Sequence, residues 1–191
     1  MCIIQLVELM KKRKNNMKTW NIDSSHSEIG FKVKHLMVSN VRGKFNSFEG
    51  KIEMPDEDFS KGMVTFSAET KSIDTGNSMR DGHLQSPDFF NSTEFPILSF
   101  ASKSITNKSG NDFTVNGDLT MHGITKEIAL ATTYNGKVVG MDGLEVMSFE
   151  ITGALNRKDF GLTWNAPIEQ GGVVISDEVK LDINAEFKEV K

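Results

Sequence analysis

Ile29, Phe31 and Val33 alternate with Glu28, Gly30, Lys32 and Lys34 along the chain. Successive side chains on a strand point to opposite faces, so residues 26–35 predict a strand with one apolar and one wet face. The same period recurs. Phe113, Val115, Gly117, Leu119 and Met121 oppose Thr114, Asn116, Asp118 and Thr120, and further rows run Ile128, Leu130, Thr132, Tyr134 and Phe149, Ile151, Gly153, Leu155. Val179, Leu181, Ile183, Ala185 and Phe187 make another, with shorter rows at Val64, Phe66, Ala68 and at Leu98, Phe100. Clean alternation predicts antiparallel strands covered on one face only, because buried parallel strands read as unbroken apolar runs. Turn signals separate the rows at Asn107 to Asn111, Asn135-Gly136, Asp142-Gly143 and Gly171-Gly172. The pattern predicts an all-β sandwich or up-and-down barrel.

One long connection, residues 72–96, interrupts the series. Asn77 is a suitable helix cap, and Pro87 stops a helix because the residue before proline avoids the α region. The spacing therefore predicts one or two short helices, with Leu84, Phe89 and Phe90 turned inward as a lid. A connection this long inside a compact domain usually serves function or covers something. Spacing alone fits a packing loop equally well.

The 191 residues suffice for one β domain with a sizeable core. Net charge is −4, but Lys11, Lys12, Arg13 and Lys14 against Glu8 make the first sixteen residues +3, leaving −7 for the rest. That balance, with no basic stripe, argues against a nucleic-acid partner. Cys2 is the only cysteine, so there is no internal disulfide framework and a reducing compartment is compatible. Residues 1–17 read as an N-terminal extension to a domain over 18–191. Ile3, Leu6, Val7 and Met10 have helical spacing, and the basic run follows them. A secretory signal has the reverse order, and the apolar run is too short to span a membrane. The expectation is a dispensable segment and a cytoplasmic protein, with a lipid-surface helix as the alternative.

The candidate chemistry is sparse. His26, His35, His83 and His122 lack HxH or HExxH spacing, so no metal is expected. There is no GxSxG, GxGxxG or P-loop, and no catalytic residue or cofactor is expected. Arg80-Asp81 and Arg157-Lys158-Asp159 interrupt apolar context and are candidates for a polar site or an internal salt bridge. The aromatics are one-sided: 13 Phe against 1 Tyr and 2 Trp. Phenylalanine has no polar handle, so a surface rich in it recognises shape and greasiness. An eight-stranded barrel is just wide enough to be filled by side chains or to hold one small ligand, and periodicity does not distinguish the two.

The ordered blocks TWNIDSSHSEIGFKVKHLMVSNVRGKF, SIDTGNSMRDGHLQSPDFF, FPILSF, VNGDLTMHGITKEI, NRKDFGLTWN and VVISDEVKLDINAEF resemble the YceI-like family of polyisoprenoid-binding proteins from about Thr19 to Phe187. The resemblance implies an eight-stranded antiparallel barrel of lipocalin-like shape around a long cavity for an isoprenoid quinone, a polyprenyl chain or a similar amphiphile. It also implies frequent dimerisation, an absence of established catalytic residues, and a periplasmic or secreted setting that keeps that location open. Under it, Ile29, Phe31, Val33, Phe45, Phe66, Phe100, Phe113, Leu119 and Met121 are expected to line the tunnel. His26, His35, Arg80, Asp81, His83 and Arg157 are expected at a mouth that orients a head group. Two rival readings are a lipid-modifying enzyme and an interaction or stress module whose phenylalanines fill its own core.

Overall fold

The computed structural model describes residues 17–36, 38–55, 58–167 and 173–190. The extension before Met17 and the Gly171-Gly172 turn lie outside the described residues. Eleven strand segments form one antiparallel system: β1 (Lys18–Ile22), β2 (Glu28–His35), β3 (Ser39–Phe45), β4 (Phe48–Met54), β5 (Met63–Glu69), β6 (Ile73–Asp74), β7 (Ile97–Ser109), β8 (Asp112–Met121), β9 (Ile124–Val139), β10 (Glu145–Asn156) and β11 (Ile175–Glu189). One helix, α1 (Ser78–Gln85), lies between β6 and β7.

The eleven segments make eight staves, because three staves are bent. β1 and β2 both pair with β11, Ile22 opposite Phe187 and Glu28 opposite Asn184. β4 pairs with β1 while β3 pairs with β2, and β5 and β6 pair in turn with β4 and β3. β7 to β11 then follow as a meander, and β11 returns to the first stave. The result is a closed eight-stranded antiparallel barrel of lipocalin-like shape, as the family resemblance implied, where the alternation had left a sandwich open as well.

The bend in the first stave keeps its hydrogen bonds. Between β1 and β2 the Ser27 hydroxyl accepts from the Glu186 N–H at 2.9 Å and donates to the Glu186 carbonyl at 3.3 Å. The Asp23 N–H reaches the same carbonyl at 2.8 Å. A side chain thus completes the ladder where the backbone turns away.

Asn135-Gly136 is not a turn, contrary to the sequence expectation. Tyr134 lies opposite Phe149 and Gly136 opposite Ser148, which leaves Asn135 as the extra residue of a bulge inside β9. Gly136 has φ of 116°, a conformation that glycine enters at little cost. The strand continues to Val139, and the hairpin turns instead at Asp142-Gly143.

The direction of the staves separates the two ends. Among the described residues, one end holds the connections that follow β2, β6 (75–96), β8 (122–123) and β10 (157–167); the other holds those that follow β4 (from 58), β7 (110–111) and β9 (140–144). The second end is stoppered from within. A short turn at Phe59–Lys61, capped by Asp58 Oδ1 accepting the Ser60 N–H at 3.0 Å, carries Phe59 inward. The Phe59 ring packs 5.2 Å from Phe113 and 4.8 Å from Phe149, centroid to centroid. Edge-to-face and tilted ring pairs at these separations are favourable beyond their buried area.

Candidate functional site

The barrel encloses a cavity with about 220 Å³ open to the centres of water-sized molecules. It is lined by 33 residues, of which only Thr132 and Arg157 carry a side-chain nitrogen or oxygen. Ile29, Phe31, Val33, Phe45, Phe66, Phe100, Leu119 and Met121 all line it. Phe113, expected among them, belongs to the stopper beside Phe59. Room for the rings comes partly from glycine. A Cβ on Gly43 would strike the Phe31 ring, and one on Gly117 would strike the Phe100 ring and the Ala101 carbonyl.

The two long connections meet over the other end. Asn77 caps α1, its side chain accepting the Arg80 N–H at 3.1 Å, and the helix ends at Ser86 before Pro87. Residues 87–90 form a turn and not a second helix. Leu84, Phe89 and Phe90 face the cavity, as the spacing predicted. Phe89 packs 5.3 Å from Trp164 of the 157–174 connection, and the His83 ring stands edge-on to both. The His122-Gly123 turn joins the same roof, His122 packing 4.6 Å from Phe95.

Arg157 holds the second connection together. Its Nη1 donates to the carbonyls of Leu162 at 2.6 Å and Trp164 at 2.8 Å, and its Nε donates to that of Ser176 at 3.0 Å. Nη2 reaches Asp177 Oδ1 at 3.3 Å. The residue is 3% exposed, and burial pulls its pKa down while Asp177 acts against that shift. The planar guanidinium suits this task because it offers several donors in a fixed fork. Arg157 therefore lines the roofed end of the apolar space while its guanidinium is committed to the connection above it.

The remaining polar residues expected at the mouth do not line the cavity. Arg80 and Asp81 both fasten Thr75, Arg80 Nε to its hydroxyl at 2.7 Å and Asp81 Oδ1 from its N–H at 3.0 Å. His83 Nε2 pairs with Asp88 at 2.9 Å. His35 ends β2, where its carbonyl accepts the Ser39 hydroxyl at 3.3 Å. His26 stands on the outer wall at the bend between β1 and β2, its side chain 64% exposed. Its Nδ1 lies 3.1 Å from Asp23 and 3.5 Å from Glu186, three groups whose ligand atoms sit within 4.8 Å of one another. Hydrogen bonds from Ser25, then from His26, lower the Asp23 carboxyl to about 2.

Thr132 is the second polar liner, 4% exposed, and its hydroxyl finds no hydrogen-bond partner among the described residues. It lies opposite Phe113 on β8 and Ile151 on β10, at the level of the stopper. Arg157 was already a candidate for a polar site or internal salt bridge on sequence, whereas its particular partners and the place of Thr132 were not. Thr132 keeps the parity of Ile128 and Leu130, and the partners of Arg157 are mostly backbone carbonyls, which have no residue signature.

Comparison with known proteins agrees with this geometry. The YceI-like domain profile matches residues 20–187. A UPF0312 protein of Staphylococcus aureus is 40% identical over 172 residues, covering 90% of this chain and 98% of that protein. The YceI protein of Campylobacter jejuni superposes with a TM-score of 0.72 at 32% identity, covering 88% of this chain and 96% of that one. BcnA of Burkholderia cenocepacia reaches 0.75 at 19% identity over 86% and 98%. A polyisoprenoid-binding domain from Saccharophagus degradans reaches 0.59 at 15% over 88% and 97%. The last two show the barrel fold alone. With its closed eight-stave barrel, its apolar interior and a profile match over nearly the whole length, the chain belongs to the YceI-like domain family.

Proposed function

We propose that the protein binds a long-chain isoprenoid lipid, such as a polyprenyl chain or an isoprenoid quinone, or a similar amphiphile, for carriage, storage or sequestration. The observation that carries this reading is a cavity of 33 lining residues with only two polar side chains. The chain lies among the phenylalanines and the head lies toward the roofed end. Each CH₂ moved from water to such a wall contributes about 0.8 kcal/mol, so a five-carbon isoprene unit contributes roughly 4 kcal/mol. Three buried units exceed an association cost at the low end, about 4 kcal/mol, by enough for roughly micromolar affinity. Binding of this kind needs no head-group chemistry.

The geometry supports binding over catalysis. Lipid isomerisation or hydrolysis calls for a converging acid and base. Thr132 and Arg157 do not make such a pair, and His83, Asp88 and Asp81 are spent on structural contacts outside the cavity. Gentle purification followed by organic extraction and mass spectrometry tests the proposal, with delipidated protein then offered solanesol and menaquinone. Co-purified or rebound long-chain lipid is the expected result. Protein that is repeatedly empty and binds neither probe overturns it.

A further inference from the structure

The alternation that sends Phe31 and Val33 into the cavity sends Lys32 and Lys34 outward, and on β3 it sends Arg42 and Lys44 the same way. Lys32 lies directly opposite Arg42, a like-charge pairing that costs stability on its own. Asp182 of β11 offsets it in part, 4.0 Å from Lys32 and 3.9 Å from Arg42. A chain that is acidic as a whole thus carries a local surplus of cations outside β2 and β3. The surplus ends at an apolar tip. Leu36 and Val38 follow Lys34 at the turn into β3, and Val38 is 88% exposed. Met79 is 83% exposed on α1, which follows Thr75, and Thr75 packs against Gly43 of β3. Leu36 has φ of 50°, a left-handed conformation costly for leucine and open to glycine. Its N–H is held by the Val174 carbonyl at 2.8 Å, and the neighbouring Val33 and Ile175 line the cavity.

We propose that the roofed end docks on an anionic lipid bilayer. Leu36, Val38 and Met79 enter the head-group region, and the barrel tilts so that Lys32, Lys34, Arg42 and Lys44 face the anionic head groups. Buried apolar area and attraction of basic residues to anionic lipid are the two forces that hold a protein at such an interface. The inference rests on the lipid-binding reading for its choice of a bilayer, the phase in which such a cargo dissolves. A second apolar tip, formed by Val138, Val139 and Met141, stands at the stoppered end. The lysines there are balanced: Lys18, Lys137 and Lys188 pair with Glu145, Glu189 and Asp142. Charge therefore selects the roofed end, where the apolar tip adjoins the cavity wall.

The test is vesicle flotation of the whole protein, with vesicles of phosphatidylcholine alone and of phosphatidylcholine with one-third phosphatidylglycerol. The parent should bind the anionic vesicles at least fivefold more tightly. That preference should vanish at about 1 M salt, where the screening length is about 3 Å. L36G/V38S and, separately, K34E/R42E should each weaken binding at least fivefold, while M141S at the far tip changes it less than twofold. Circular dichroism checks that each variant is folded. Equal binding to both vesicles, or loss of binding through M141S alone, overturns the docking. So does a parent dimer in light scattering that V38S splits, with no vesicle binding, because a second copy then covers the tip. Solanesol uptake from detergent reads the cavity separately in the same proteins. Uptake by parent and variants alike, with no preference for anionic vesicles, sinks the docking alone; no uptake by the parent sinks the lipid-binding reading.

Discussion

The edge of the His83 imidazole faces the indole of Trp164, with 4.8 Å between ring centroids and planes 86° apart. This contact and the adjoining Phe89–Trp164 pair tie the 75–96 connection to the 157–174 connection over the cavity. Ring contacts can part and re-form without breaking backbone ladders, so under the lipid-binding proposal this junction is where a gate is expected. Trp164→Ala should accelerate release of bound lipid several-fold in a stopped-flow displacement assay. It should lower stability only modestly, by about 1–3 kcal/mol, since the half-buried indole lies in the roof and outside the barrel wall. An unchanged release rate would remove the gate from consideration.

Arg157 is the organising residue of that roof. Its fork serves the carbonyls of Leu162, Trp164 and Ser176. Arg157→Met leaves those three carbonyls unserved, while Asp177 keeps its pair with Lys158, and should cost about 1–3 kcal/mol or more in urea unfolding. Arg157→Lys retains charge but not the fork, so it should recover less than half of the loss.

Gly117 tests how tightly rings cover backbone inside the wall. A Cβ there meets the Ala101 carbonyl oxygen, which belongs to the paired strand and cannot swing aside, as well as the Phe100 ring. Gly117→Ala should destabilise by about 1–3 kcal/mol through overpacking, despite alanine's general advantage over glycine. A neutral or raised melting temperature would show that the strands separate more readily than the register suggests.

Filling the space separates folding from binding. Ile151 lies in the middle of β10, opposite Thr132 and Ile183, and lines the cavity. Ile151→Trp should occupy the tunnel, weaken long-chain lipid binding at least tenfold and leave the circular dichroism spectrum unchanged. A correctly folded variant that still binds at parental affinity would place the lipid elsewhere.

The Asp23 carboxyl predicts an acid limb of stability. Its folded-state pKa of about 2 lies below the ordinary aspartate value of 3.8, chiefly because the Ser25 hydroxyl donates to it. A depressed acid stabilises the fold above its unfolded pKa, and that contribution is lost as pH falls through its folded pKa. Stability should therefore drop between about pH 4 and pH 2. Ser25→Ala should flatten that drop measurably, and an identical acid limb in the variant would assign it to other groups.

Much of the barrel was legible because one face of each stave is apolar and the period of two survives in the residues. The rows from Phe113 to Met121 and from Phe149 to Leu155 became β8 and β10 in the expected parity. The bends were not legible. That between β1 and β2 depends on Ser27 reaching Glu186, a contact 159 residues away in sequence. Asn135-Gly136 misled because that dipeptide suits a tight hairpin, whereas the paired strand β10 continues past it and absorbs Asn135 as a bulge. His26 carries the polar character expected of a mouth residue, yet the stave bend turns it outward toward Asp23. The inward turn of Leu84, Phe89 and Phe90 was readable because Asn77 and Pro87 fix the short helix between known limits, but spacing did not separate a lid from a packing loop.

The aromatic stopper has a consequence for traffic. If the proposed lipid is carried, a vessel stoppered at the Phe59 end fills and empties through the roofed end, so the segment that enters last leaves first. Donor and acceptor would then dock in turn at the face formed by residues 75–96 and 157–167, never at both ends together, which is the work of a shuttle and not of a conduit.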